Sequence, residues 1–137
     1  MILKSTICLL FSIISFPGNT QKAETIVYLK ELESFMNQHI PEGHVSVTGY
    51  EITLKNGILD KYTLVDGGES HHKMYSLKNA TFQLDHNKFV GEEIEIYGFS
   101  NYWDVEIDHQ WILSEIQKKE DAKYMISLLK KIQESLD

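Results

Sequence analysis

Apolar positions recur with helical spacing near both ends of the chain. Between residues 23 and 40 they fall three or four positions apart, and Pro41 and Gly43 then end the pattern. A second run between residues 122 and 136 has the same spacing, and its lysines lie toward the C-terminal end, where the helix dipole favours positive charge. The sequence therefore predicts an N-terminal and a C-terminal amphipathic helix.

The residues between these helices alternate between apolar and polar side chains, which is typical of strands. Asn56-Gly57 separates two alternating runs and predicts a tight hairpin turn, since both residues tolerate a positive φ. A two-residue loop there pairs Ile52 with Lys61. A three-residue loop pairs Tyr50 with Tyr62 and gathers the apolar side chains on one face, so we prefer the three-residue loop.

Strand patterns continue to the start of the second helix. A strand interrupted at Asn79 is followed by two alternating runs over residues 92–97 and 103–109, and the run 111–116 is ambiguous between strand and helix. The order is helix, four to six mostly antiparallel strands, helix. It predicts an α+β fold with both helices on one face of the sheet. Because neither a repeat nor a linker is evident, we expect a single domain over residues 21–137.

Residues 1–20 have the pattern of a secretory signal peptide. A lysine and an apolar run over residues 7–16 precede a break at Pro17-Gly18 and then polar residues. The run spans about 15 Å, half of the roughly 30 Å hydrocarbon core of a bilayer. We therefore expect a cleavable leader and a periplasmic or secreted protein. The only cysteine, Cys8, lies in this leader, so the mature domain must fold without disulfides.

Charge narrows the classes of partner. The chain has a formal net charge of −7, and all 13 of its basic residues are lysine. Nucleic-acid binding needs a basic surface and commonly uses arginine, so this class is disfavoured. An acidic domain is also repelled by anionic lipid, so we expect no membrane contact once the leader is removed. The composition favours a cationic partner, although solubility alone also explains it.

The most unusual charge pattern lies on the hairpin predicted from residues 92–97 and 103–109. The isoleucines of the first strand and the apolar residues of the second face the core in this interpretation, so carboxylates face outward without a lysine among them. The predicted acidic face consists of Glu93, Glu95, Asp104, Glu106 and Asp108. We interpret it as a docking surface for a cationic protein. The alternative is a solvated edge hairpin whose charges deter aggregation.

Aromatic residues are concentrated beside this acidic face. Four of the seven residues from 97 to 103 are aromatic, and Tyr102 and Trp103 are the predicted anchors for a partner. The alternative is that the cluster caps the core.

Motifs for metal binding or catalysis are weak. His71 and His72 are adjacent, so on a strand they point to opposite faces, and the six histidines lack zinc-ligand spacing. The mature chain has no cysteine nucleophile and no G-x-S-x-G motif. We predict no cofactor, no metal and no catalytic residue. Carboxylate pairs such as Asp104 with Asp108 keep a cell-wall hydrolase open as a third hypothesis.

The leading hypothesis is an exported protein-binding or inhibitory domain, for example an immunity protein or an inhibitor of a basic wall-degrading enzyme. The second hypothesis is a small-ligand-binding domain, and its pocket would be lined by Tyr50, Tyr62, Phe82 and Trp111. The sequence leaves the oligomeric state open.

Overall fold

The computed structural model describes residues 21–41 and 46–136. It contains two long terminal helices, one short internal helix and six strands. In chain order they are α1 (Ala23–Gln38), β1 (Val47–Lys55), β2 (Ile58–Val65), β3 (His71–Ser76), β4 (Phe82–Lys88), α2 (Glu92–Tyr97), β5 (Asn101–Ile107), β6 (Gln110–Ile116) and α3 (Lys119–Glu134). The predicted α+β class with terminal helices is confirmed. The predicted leader, residues 1–20, lies outside the described residues.

The strands form two antiparallel three-stranded sheets, ordered β1-β2-β3 and β4-β5-β6. Helix α1 packs on β1 and on α3, and α3 packs on β4, β5 and β6. The apolar stripes of both helices are buried in one core together with the inner faces of the sheets; Leu32, Leu59, Ile112 and Leu129 have no exposed surface. Each such side chain contributes about 1.5 to 3 kcal/mol by leaving water. None of the helices in residues 21–41 and 46–136 is long and apolar enough to cross a membrane.

Helix α1 covers the free edge of β1. The Asn37 side chain accepts a hydrogen bond from the Tyr50 N–H at 2.8 Å and donates one to the Tyr50 carbonyl at 3.0 Å. Glu33 accepts one from the Ile52 N–H at 3.0 Å. A Cβ on Gly49 would lie 2.9 Å from the Asn37 Oδ1, so a larger residue there would displace the Asn37 side chain from this position. The edge strand is therefore satisfied by polar side chains rather than by another strand.

The first hairpin has the two-residue loop, so the three-residue register that we preferred is wrong. Asn56 and Gly57 both have positive φ, at 52° and 75°, and Ile52 pairs with Lys61. A two-residue turn of this kind matches the twist of the flanking strands. Its consequence is that Lys61 lies on the inner face of the sheet.

Lys61 is accommodated because it meets a backbone acceptor. Its Nζ donates a hydrogen bond of 2.8 Å to the carbonyl of Ile112 on β6. It also lies 5.8 Å and 5.9 Å from the ring centroids of Tyr50 and Tyr75, where a cation is attracted to the ring face. The Tyr75 hydroxyl donates to the carbonyl of Trp111 at 2.6 Å. Lys61 and Tyr75 thus join the first sheet to the second.

The segment 92–97 is helix α2, so the predicted strand is wrong. Gly91 and Gly98 flank it with positive φ, and the Gly98 N–H donates to the Ile94 carbonyl at 2.8 Å as a left-handed helix cap. Its three glutamates lie in the first turn, where the helix dipole favours negative charge. Alternation of apolar and polar residues over only six positions did not distinguish this short helix from a strand.

We predict that Tyr75→Phe destabilises the fold by about 1 kcal/mol, because it removes the hydrogen bond from the buried Tyr75 to the Trp111 carbonyl. The free energy of unfolding from urea titration measures this loss. The matched control is Tyr62→Phe, since the Tyr62 side chain is exposed and its hydroxyl makes no hydrogen bond within the described residues. Its effect should stay within about 0.5 kcal/mol. Equal losses of unfolding free energy in the two variants would contradict the conclusion that Tyr75 joins the two sheets.

Candidate functional site

The polar face of the second sheet gathers carboxylates from three strands. Asp85 on β4 lies directly opposite Asp104 on β5, and Glu106 lies opposite Gln83. Glu115 on β6 is close enough to Asp104 to affect its pKa. Strand β5 pairs with β4 and β6, so the hairpin that we predicted between residues 92–97 and 103–109 does not form.

Asp104 is completely buried, which corrects its predicted outward position. Its Oδ1 accepts a hydrogen bond from the backbone N–H of Glu115 at 3.1 Å, and its Oδ2 accepts one from the Asn87 amide at 2.7 Å. The alternating pattern correctly places the Asp104 side chain on one face of β5 and those of Val105 and Ile107 on the other. That face is covered at this point, so Asp104 does not present its carboxylate to a partner.

An irregularity in β6 explains this burial. The pairing of β5 with β6 shifts register between Trp103 and Val105 and again before Glu106. Glu115 lies in this region with φ of 60°, a left-handed conformation that is uncommon for a residue with a side chain. The Asp104 carboxylate pairs the N–H of this strained residue. The bulge was not predicted, because residues 111–116 were ambiguous between strand and helix; the break in alternation at Ser114-Glu115 was the available signal.

Burial raises the pKa of Asp104 to about 6. The nearby charges of Asp85, Glu106 and Glu115 also raise it, while the hydrogen bond from the Glu115 backbone acts in the opposite direction. Asp104 therefore carries a proton over part of the mildly acidic range in which surface carboxylates are ionised.

Asp108 has a turn-forming role and does not belong to the acidic face of β5. Asp108 and His109 connect β5 to β6 with positive φ, at 49° and 65°. The Asp108 carboxylate accepts hydrogen bonds from the Thr81 N–H at 2.8 Å and the Thr81 hydroxyl at 3.1 Å. The carboxylates of Asp104 and Asp108 therefore accept hydrogen bonds from different backbone segments. This arrangement does not favour the pair of catalytic carboxylates that the hydrolase hypothesis needs.

Residues 89–100, which we call the α2 lobe, form an excursion between β4 and β5. Its ends are held together at the base, where the Phe89 N–H donates to the Ser100 carbonyl at 2.8 Å and Lys88 pairs with Asn101. Compact surface loops with closed ends and internal packing are often functional. Glu93 and Glu95, two of the predicted site residues, belong to this lobe.

An aromatic cluster holds the α2 lobe on the sheet. The ring of Phe89 lies 4.5 Å from the rings of both Tyr97 and Tyr102 and 5.2 Å from that of Phe99. Each such pair contributes roughly 0.5 to 1.5 kcal/mol beyond burial. Tyr102 therefore supports the lobe from the sheet side. Trp103 points to the other face of β5 and stacks on His86 at 4.5 Å, so the two predicted anchors are separated.

The outer surface of the α2 lobe is apolar and acidic at once. Val90 and Ile96 are each 72% exposed, and Ile94 is 38% exposed. The glutamates of the lobe, Glu92, Glu93 and Glu95, are exposed as well, and residues 89–100 include no lysine. The prediction missed the isoleucines because it placed them in the core. The glycines at positions 91 and 98 were the available signal for a helical excursion.

The predicted ligand pocket is not assembled as proposed. Tyr50 is buried on the inner face of the first sheet, whereas Tyr62 stacks on His72 at 4.4 Å on the outer face. Trp111 is 54% exposed. The histidines make local contacts: His39 bridges Phe35 and Asp121, and His72 bonds Asp60. In the part of the chain that the structure describes, no three His, Cys, Asp or Glu residues converge to hold a metal ion.

No family model, curated protein or solved structure matches this chain.

We predict that ionisation of Asp104 destabilises the fold. Because its pKa is higher in the folded than in the unfolded chain, its stabilising contribution is present below about pH 4 and is lost as the pH rises through about 6. The free energy of unfolding should fall by roughly 2 to 3 kcal/mol over this range, relative to that of Asp104→Asn. Denaturant titration at each pH measures both proteins. Parallel curves would contradict the prediction, and Asp85→Asn should move the fall to lower pH by removing a neighbouring charge.

Proposed function

We propose that this chain is an exported protein-binding or inhibitory domain, similar in kind to immunity proteins and enzyme inhibitors, and that it docks on a cationic protein through the α2 lobe. The observation that carries the proposal is the exposure of Val90 and Ile96 beside three glutamates. Exposed apolar residues that are rimmed by charge are typical of protein interfaces.

The lobe combines two contributions to binding. Val90, Ile94 and Ile96 can enter a pocket of the partner and leave water there. The glutamates around them attract a positively charged surface and raise the rate of encounter. The formal net charge of −7 of the whole chain acts in the same direction.

The predicted site residues divide between contact and support in this proposal. Glu93 and Glu95 would meet the partner directly, and Glu106 lies on the neighbouring sheet face. Tyr102 would act indirectly, by holding the lobe through Phe89. Asp104 would maintain the backbone of β6 at Glu115, Asp108 holds Thr81 at the end of the β4–β5 pair away from the lobe, and Trp103 lies on the other face of β5. A basic enzyme that degrades the cell wall remains the partner class that we propose for an exported acidic domain.

The proposal predicts that the charge and the apolar surface of the lobe are both needed for binding. Purified basic lysozymes and other basic wall-degrading enzymes are the probes, and calorimetry at low and physiological salt is the measurement. Against an enzyme that binds, Ile96→Ser should weaken affinity about tenfold, since it removes a side chain worth over 1 kcal/mol of burial. Substitution of Glu92, Glu93 and Glu95 by lysine should weaken the affinity for the enzyme further and reduce the salt dependence of that affinity.

The matched control reverses three exposed glutamates elsewhere: Glu51, Glu69 and Glu134. It changes the net charge by the same amount but leaves the lobe intact. Binding that survives reversal of the lobe, or that is lost equally in the control, would show that the lobe is not the docking surface.

A further inference from the structure

A pair of lysines on the inner face of the first sheet has no role in the proposed docking surface. Lys61 on β2 and Lys73 on β3 are direct cross-strand partners. Both ammonium groups lie over the ring of Tyr75, at 5.9 Å and 5.5 Å from its centroid. Like charges in directly opposed positions repel and destabilise a sheet. Their juxtaposition therefore requires an explanation.

Neither lysine is neutralised by a carboxylate among the described residues. The chain has 20 acidic residues against 13 lysines, yet neither Lys61 nor Lys73 makes an ion pair within the described residues. Lys61 is also half-buried, whereas the other lysines in the described ranges are exposed. Its single hydrogen bond goes to the neutral carbonyl of Ile112. This bond and the two aromatic rings hold the ammonium group, but they leave its positive charge without a counter-charge.

The neighbouring positions can also contribute to an anion site. Thr63 and His71 form the next cross-strand pair on the same face as Lys61 and Lys73, since residues two apart share a face. The face therefore offers two ammonium groups, an imidazole and a hydroxyl. All of these can donate hydrogen bonds to an anionic oxygen.

We propose that Lys61 and Lys73 bind the anionic group of a small ligand, a carboxylate or a phosphate, beside the ring of Tyr75. Such a group would accept charge-assisted hydrogen bonds from both lysines and offset their repulsion. Because Lys61 is half-buried and flanked by Tyr50, Tyr75 and β6, we assign a small anionic group to it rather than a macromolecular surface.

Protonation of Lys61 would be linked to this binding. Burial and, to a smaller extent, the charge of Lys73 together lower the pKa of Lys61 to about 8. The groups around it are Lys73, His71 and the rings of Tyr50 and Tyr75, with Glu115 of β6 near Tyr50. Burial raises the pKa of both tyrosines, so neither tyrosine ionises in this range. An anion beside Lys61 favours its charged form, so binding should raise its pKa and should weaken as the pH rises above about 8.

The test is titration of the protein with acetate and, separately, with inorganic phosphate, followed by NMR of the lysine side chains. We expect a saturable shift of the Lys61 and Lys73 signals and a Lys61 pKa raised by the bound anion. Lys73→Gln should weaken binding about tenfold by removing a charge-assisted hydrogen bond. Lys78→Gln, which removes an exposed lysine from the loop after β3, is the control and should bind as the wild type does.

The two probes distinguish the ligand chemistry. Saturation by acetate alone indicates a carboxylate, saturation by phosphate alone indicates a phosphate, and either result supports the site. The absence of a saturable shift at Lys61 with both anions would overturn the proposal. Equal weakening by Lys73→Gln and Lys78→Gln would overturn it as well, because it would indicate general charge attraction.

Discussion

The two three-stranded sheets leave some backbone N–H and carbonyl groups without a strand partner. Polar side chains of this protein lie where they form hydrogen bonds with these groups. Asn37 and Glu33 form hydrogen bonds with the free edge of β1. Lys61 and Tyr75 donate hydrogen bonds to carbonyls of β6. Asp104 accepts a hydrogen bond from the N–H of the strained Glu115. An unpaired buried backbone group costs about as much as a lost hydrogen bond. Among the described residues, no buried side-chain nitrogen or oxygen lacks a partner.

This constraint has a consequence for function. Asp104, which the alternating pattern assigns to the surface, is buried, whereas Ile96 of the α2 lobe is exposed. The chemistry available to a partner is therefore not the acidic sheet face that the sequence predicts. The docking surface that we propose is the apolar and acidic α2 lobe, which is supported by the aromatic cluster around Phe89, and the Lys61–Lys73 pair on the other sheet is a separate proposed site.

Periodicity sufficed for the parts of the fold that depend on burial of long apolar stripes. Both terminal helices and the Asn56-Gly57 turn were predicted correctly, because 16-residue helices and paired positive-φ residues leave strong local patterns. The predicted hairpin register was wrong because we preferred the pairing that gathers the apolar side chains on one face. The acceptor that accommodates Lys61 on that face, the Ile112 carbonyl, is 51 positions away in the chain. The predicted positions of Glu93, Glu95 and Asp104 were wrong for a related reason. A six-residue helix and a bulge leave no clear periodic signal.

The most direct test of the docking surface is an amide NMR map of the domain bound to a basic enzyme. The account predicts that shift changes concentrate at residues 89–100 and the adjoining end of β5, with the outer face of the first sheet around Tyr62 and His72 unchanged. Changes centred on that outer face, with the α2 lobe unaffected, would contradict it.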